Sequence, residues 1–249
     1  MQGQKRRTYN QRKGNTFRYK KQGGRKWKIK KKNIKQEYIT KAFIGGRETF
    51  RLKSKDPAKL SKKTLDEIVD FTVKTFQSGM TESEVMDHIK DNDLFLVLYK
   101  DRKAIGFAGS KYLKSEDNEK KHVYFSAAVV SSDFQGRRLY NELVKARVDE
   151  TFALGFNTIT TRTQNPLVEF TIREELNLRT NLNYISSYSV DRKLIPEVFG
   201  RRLTEKLQTC RYDSINKEYN KLDLNRGDGY YLTFNLKRKD NIKNNRVTG

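Results

Sequence analysis

Residues 129–143 read VVSSDFQGRRLYNEL. An apolar strand end runs into a short polar loop, and the loop opens a helix whose apolar positions Leu139, Leu143, Val144, Val148, Phe152 and Leu154 recur at three- and four-residue spacing before Gly155. Consecutive backbone N–H groups at such a helix start, lying at the positive end of its macrodipole, favour an anion, and Arg137 and Arg138 add permanent cations there. Upstream, 122–130 is the strand that delivers the loop, preceded by strands at 94–99 and 105–113 with polar turns at Asp101-Arg102 and 115–121. Downstream, 157–162 is a further strand, so the segment is a strand-loop-helix-strand unit of the kind that builds a parallel or splayed pair.

The same periodicity fills in the rest of the chain. Residues 61–76 (SKKTLDEIVDFTVKTF) predict a helix capped by Ser61, and Thr81 with Glu84 three residues on opens a second helix, TESEVMDHIK. Residues 166–176 predict a helix with Pro166 in its first turn, 184–190 a strand, 194–208 a basic amphipathic helix and 229–237 a final strand. Residues 36–52 predict two short strands around Gly45-Gly46. The class is α/β: a mixed sheet of six or seven strands, without an internal repeat.

Charge divides the chain differently. Its 249 residues carry 53 Lys and Arg against 30 Asp and Glu, a formal net charge of +23. Residues 1–35 hold fifteen of the basic residues and no acidic one, and 237–249 hold five against Asp240, which leaves about +4 on residues 36–236. The chain thus has three segments: a basic arm (1–35), a nearly neutral folded body (36–236) and a basic tail (237–249). The arm has too little apolar surface to offset chain entropy and is expected to be disordered. With Tyr9, Phe17, Tyr19 and Trp27 between its cations, it suits phosphate neutralisation and base stacking, hence nucleic acid or a ribonucleoprotein as partner.

Composition excludes other classes. One cysteine, Cys210, rules out a disulfide framework, and with only His88 and His122 beside it a zinc ribbon is ruled out, so no metal is expected. No apolar run reaches the ~18–20 residues that span a bilayer, and no apolar segment comes after the basic N-terminus. An intracellular, cytoplasmic protein without membrane attachment is the expectation.

The stretch Gln135, Gly136, Arg137, Arg138, Leu139, Tyr140 resembles the acetyl-CoA signature of the GCN5-related N-acetyltransferase (GNAT) family, in which Gln or Arg, two residues, Gly, one residue, then Gly or Ala opens a helix. The element order over residues 36–236 resembles that family too, and implies a mostly antiparallel sheet with a central splay flanked by helices. The resemblance implies acetyl-CoA as co-substrate, held by residues 135–140, by the backbone of Val129 and Val130 and beside Asn165. It implies transfer of acetyl to an amine, here of a macromolecule that the arm would bring close. The chain departs from the pattern in two ways. Arg138 and Tyr140 fill the two small-residue positions, and neither the Glu commonly found on the strand before the loop nor the Tyr commonly found on the helix after Asn165 is present, Phe170 and Ile172 standing in that helix. Tyr124, His122 and Tyr184 are therefore the catalytic candidates by chemistry and sidedness. These departures equally suit a non-catalytic nucleic-acid-binding or structural protein that kept the fold, and incidental tails would suit a small-molecule acetyltransferase.

Overall fold

The computed structural model describes residues 48–76, 79–114, 121–203 and 208–239. The expected arm, the strand pair around Gly45-Gly46 up to residue 47, and most of the C-terminal tail lie outside these residues.

Seven strands form one sheet in the order β1 (Phe50–Lys55), β2 (Leu94–Lys100), β3 (Lys103–Lys114), β4 (Lys121–Val130), β5 (Thr158–Thr163), β7 (Gly229–Arg238), β6 (Ile185–Ile195). All neighbours are antiparallel except β4 and β5, the two strands joined by the loop and helix of 131–153. The β2–β3 turn places both Asp101 and Arg102 at positive φ, the geometry a two-residue hairpin requires.

Ser61 caps α1 (Lys62–Thr75) by accepting from Thr64 N–H, and Thr81 with Glu84 forms a reciprocal capping box on α2 (Glu82–Ile89). These helices bury Ile68, Phe71, Val85 and Ile89 against Phe95, Val97, Phe107 and Val129 on one face of the sheet. The opposite face is covered by α3 (Leu139–Ala153) and α4 (Pro166–Asn181). Leu139, Leu143 and Ala146 pack on the β1–β3 side, while Val144, Val148, Ile172 and Leu176 pack on Val123, Phe125, Ile159, Leu232 and Phe234. These clusters take no side chain from the α1/α2 face of β5, β7 and β6. Among the described residues no helix covers that part of the face, the open face, on which Arg162, Asp191 and Lys193 are exposed and Thr160 is buried.

The helix expected over 194–208 is corrected by the structure. Residues 194 and 195 end β6, and residues 196–203 are turn and bend, with Glu197 and Gly200 at positive φ. Phe199 N–H bonds to Gly227 O, outside any helical ladder. The apolar residues there are helical in spacing but pack as a loop: Val198 and Phe199 crowd Gly229 so closely that a Cβ would not fit. The described helix in this region is the short α5 (Asp213–Tyr219), which burial of Ile215 and Tyr219 holds in place.

Candidate active site: the gap between β4 and β5

β4 and β5 pair only from His122–Thr158 to Phe125–Thr161, and then diverge. A register shift marks the start of divergence: Gly109 faces Ala127 while Ser110 faces Phe125, so Ser126 is the extra residue of a β-bulge. The bulge is pinned. Ser126 donates to Asn92 Oδ1 at 2.6 Å, and Asn92 Nδ2 donates to the carbonyls of His88 and Ile89 at the end of α2. A Cβ on Gly109 would collide with the Asn92 side chain and Ser126 Oγ, so this close approach requires glycine.

Beyond the bulge the β4 backbone has hydrogen-bonding capacity to spare. Ser131 N–H donates to Ile105 O, so by the alternation of an antiparallel ladder Val129 exchanges bonds with Phe107, whereas the polar groups of Ala128 and Val130 point away from β3 into the gap. Val130 O already accepts from Gln135 Nε2 at 3.3 Å. Val129 turns its side chain to the α1/α2 cluster and Val130 to the α3 cluster.

The loop over the gap folds as a short 3-10 turn, Ser132–Phe134, and then passes through two left-handed residues, Gly136 (φ 76°) and Arg138 (φ 58°). Arg138 is the N-cap of α3, and no side chain caps that end, so its first N–H groups stay available. Leu139 is buried as the helix anchor. The two arginines differ. Arg137 is paired with Glu48 and lies 5.3 Å over the Phe134 ring, whereas Arg138 is exposed. Tyr140 turns inward beside Arg147, whose guanidinium is buried 4.2 Å over the Phe125 ring and donates to Leu143 O. Burial pushes the Tyr140 hydroxyl up and the Arg147 guanidinium down from their ordinary values. In the sequence, the place of Arg147 within the apolar stripe of α3 is its only signal.

On the β5 rim, Asn165 caps α4 by accepting from Leu167 N–H at 2.9 Å and donates from Nδ2 to Gln208 at 3.3 Å. Buried Gln164 holds the loop after β6, donating to Arg201 O and accepting from Leu203 N–H. Arg201 in turn pairs with Glu84 of α2 at 2.8 Å, so α2, this loop and the end of β5 enclose the open-face mouth of the gap.

The three catalytic candidates separate. Tyr124 lies on β4 one residue before the last paired position, on the open face, its hydroxyl accepting from Arg162 Nε at 2.8 Å. His122 is on the same face at the closed end of the pair. Tyr184 is an exposed residue just before β6, packed on Phe152 and near Arg179, at the end of the sheet away from the gap's opening. His88 of α2 is an exposed residue whose carbonyl Asn92 ties to the bulge. Loss of hydration, with the guanidinium of Arg162 as the next cause, lowers the His88 imidazole below its ordinary value, and Lys111 acts in the same direction. Among the described residues no group of three or more His, Cys, Asp or Glu side chains could hold a metal ion.

Residues 62–172 match the model of the acetyltransferase (GNAT) family. This region belongs to the GNAT family. It runs from α1 into the first half of α4 and so contains the splay, the loop and α3. No curated protein matches the sequence. Solved structures that the fold is similar to include a NatC complex bound to Gag peptide and CoA (13% identity, 76% of this chain and 99% of that one, TM-score 0.45). Others are a GNAT N-acetyltransferase, YhbS, from Escherichia coli in complex with CoA (15%, 52% and 71%, 0.41) and an IAA acetyltransferase from Bacillus cereus (13%, 74% and 98%, 0.41). The family assignment rests on the sequence match.

Proposed function

We propose that this GNAT domain transfers acetyl from acetyl-CoA to an amine of a macromolecule, and that the basic arm tethers it to nucleic acid or a ribonucleoprotein. The observation that carries the reading is the gap itself, where the Ala128 backbone and the Val130 N–H, turned away from β3, face an uncapped helix N-terminus across a glycine turn. The coenzyme's pyrophosphate suits the N–H groups at the start of α3 with Arg138 beside them, and its amide-bearing arm suits the free groups of β4. Arg147, buried beside Tyr140 and donating to Ala127 O on β4, supplies a cation on the α3 side of that strand that offsets the charge of a departing thiolate. The acceptor enters from the open face, because α3 and α4 cover the other. Its ammonium passes a proton to the neutral imidazole of His88, the free amine attacks the thioester carbon, the C–N bond forms and the C–S bond breaks. The thiolate takes the second nitrogen proton.

A thermal-shift titration tests the reading: millimolar acetyl-CoA raises the melting temperature, and no shift would abandon the enzyme. In turnover, His88→Gln removes the acidic limb of the kcat/KM profile and lowers the neutral-pH rate by about 10²-fold, with acetyl-CoA affinity unchanged. One observation favours the alternative of a non-catalytic nucleic-acid-binding protein: Arg137 is engaged by Glu48 and Phe134 rather than free for phosphate.

A further inference from the structure

Two rows of side chains cross the open face of the sheet. Directly opposed residues of neighbouring strands share a face. One row therefore runs Lys111, Tyr124, Thr160, Thr233, Asp191 through β3, β4, β5, β7 and β6. The next runs Arg162, Tyr231, Lys193 through β5, β7 and β6, and its β4 position is missing because β4 has bulged away at Ser126. Arg162 thus stands at the lip of the gap, the first β5 residue past the last β4 pairing.

The charge on this face is unbalanced. Arg162 and Lys193 are exposed, and Lys111 is half-buried. Among the described residues none of the three has a carboxylate partner, and the single partner of Arg162 is the neutral Tyr124 hydroxyl. Asp191, the one acid in the two rows, lies on the outermost strand and accepts from Asn235 Nδ2 at 3.0 Å. The acids Glu84 and Asp87 of α2 are also spoken for, paired with Arg201 and Lys90. Elsewhere in the body exposed Arg211 pairs with Glu174 and exposed Arg226 with Asp228. What sets Arg162 apart is its place at the mouth of the gap and its bond to Tyr124. Its bond to Tyr124 uses Nε and fixes the plane, leaving the two Nη groups to point a planar fork outward.

We infer that Arg162, oriented by Tyr124, is a binding site for an oxyanion of the acceptor, so that the acceptor is an amine whose own molecule carries a carboxylate or phosphate close to the reacting nitrogen. Lys111 and Lys193 extend the cationic field on either side, which excludes acceptors that are cationic throughout. This rests on the proposed acetyl transfer for the identity of the amine, but not for the oxyanion site.

The experiment separates the two. Nε-selective NMR of the full chain tracks Arg162, and ring NMR tracks Tyr124, as inorganic phosphate or acetate is added at constant ionic strength. Saturable shifts at both residues are expected, weakened at least tenfold at the Tyr124 ring in Arg162→Gln and partly retained in Arg162→Lys. Shifts spread evenly over exposed arginines, or unchanged in Arg162→Gln, overturn the site. With acetyl-CoA present, thiol release is compared for O-phosphoethanolamine against ethanolamine and for glycylglycine against glycylglycinamide. The oxyanionic member of one pair is preferred at least tenfold in kcat/KM, and Arg162→Gln abolishes that preference; which pair responds tells phosphate from carboxylate. A preference that survives Arg162→Gln overturns the proposal, whereas absence of acetyl-CoA binding overturns the transfer reaction and leaves the ion titration to decide on Arg162.

Discussion

Arg138 occupies a backbone conformation that suits glycine: φ 58° and ψ 16° at the N-cap of α3. For a residue with a Cβ the left-handed region costs about 1–2 kcal/mol, and the strain is retained here at the point where the loop meets the helix. Replacing it by glycine should raise stability by ~0.5–1 kcal/mol in denaturant unfolding, because strain relief outweighs the added freedom of the unfolded chain. Both Arg138→Gly and Arg138→Ala should weaken acetyl-CoA about tenfold by calorimetry, the loss of one charge-assisted contact. Unchanged affinity would show that the residue shapes the loop without touching phosphate. The loop is legible in the sequence, since its glycine, its cations and the helix behind it are local features. The acceptor side is not. That Tyr124 faces away from the core can be read from its place between apolar Val123 and Phe125, but its partnership with Arg162 depends on the β4–β5 register. By sequence His88 is one more residue of an amphipathic helix; its nearness to the gap depends on Asn92, which ties the end of that helix to the β4 bulge.

Among the elements, those with a strong period lie within a few residues of where the sequence places them, and the segment between β6 and β7 does not. There the apolar spacing of 194–208 mimics a helix, while the deciding groups lie far along the chain. Asp228 is one of them: its buried carboxylate accepts from Glu197 N–H, Asp223 N–H and the Arg226 guanidinium, and so joins the end of β6 to the turn before β7. The bond to Arg226, with those to the two backbone N–H groups as lesser causes, holds the Asp228 carboxyl down at about 2. Above the ordinary carboxylate pKa of ~3.9 the group is ionised in both folded and unfolded chains and its contribution is complete. As pH falls from about 4 to about 2 the unfolded chain takes up the proton first, so stability drops through that window. Asp228→Asn should therefore be less stable than the parent at pH 6, with the gap in unfolding midpoint narrowing towards pH 2. Because Gln164 and Arg201 hang this same loop on β5 and α2, the variant should also loosen the wall of the acceptor mouth. Amide hydrogen exchange at Leu203 N–H reads that directly.

For the whole molecule, charge and chemistry are distributed over different parts of the chain. The excess of +23 is concentrated in the terminal segments, whereas the catalytic reading concerns a body near neutrality, with Arg162 at the lip of the gap. Net charge alone would assign the entire protein to nucleic acid, and periodicity alone would ignore the arm. An arm that only concentrates the enzyme on its target raises effective concentration without altering the chemical step. Deleting residues 1–35 should then leave acetyl-CoA affinity and kcat on a small amine unchanged. Binding to single-stranded RNA or DNA should fall at least a hundredfold at 50 mM salt, and the slope of log affinity against log salt should flatten by several units, since each lost phosphate contact contributes ~0.7. Arg162→Gln should do the reverse, leaving the salt slope nearly intact while discrimination between acceptors is lost. If the deletion instead lowers kcat on the small amine, the arm takes part in forming the acceptor site and the separation of address from chemistry fails.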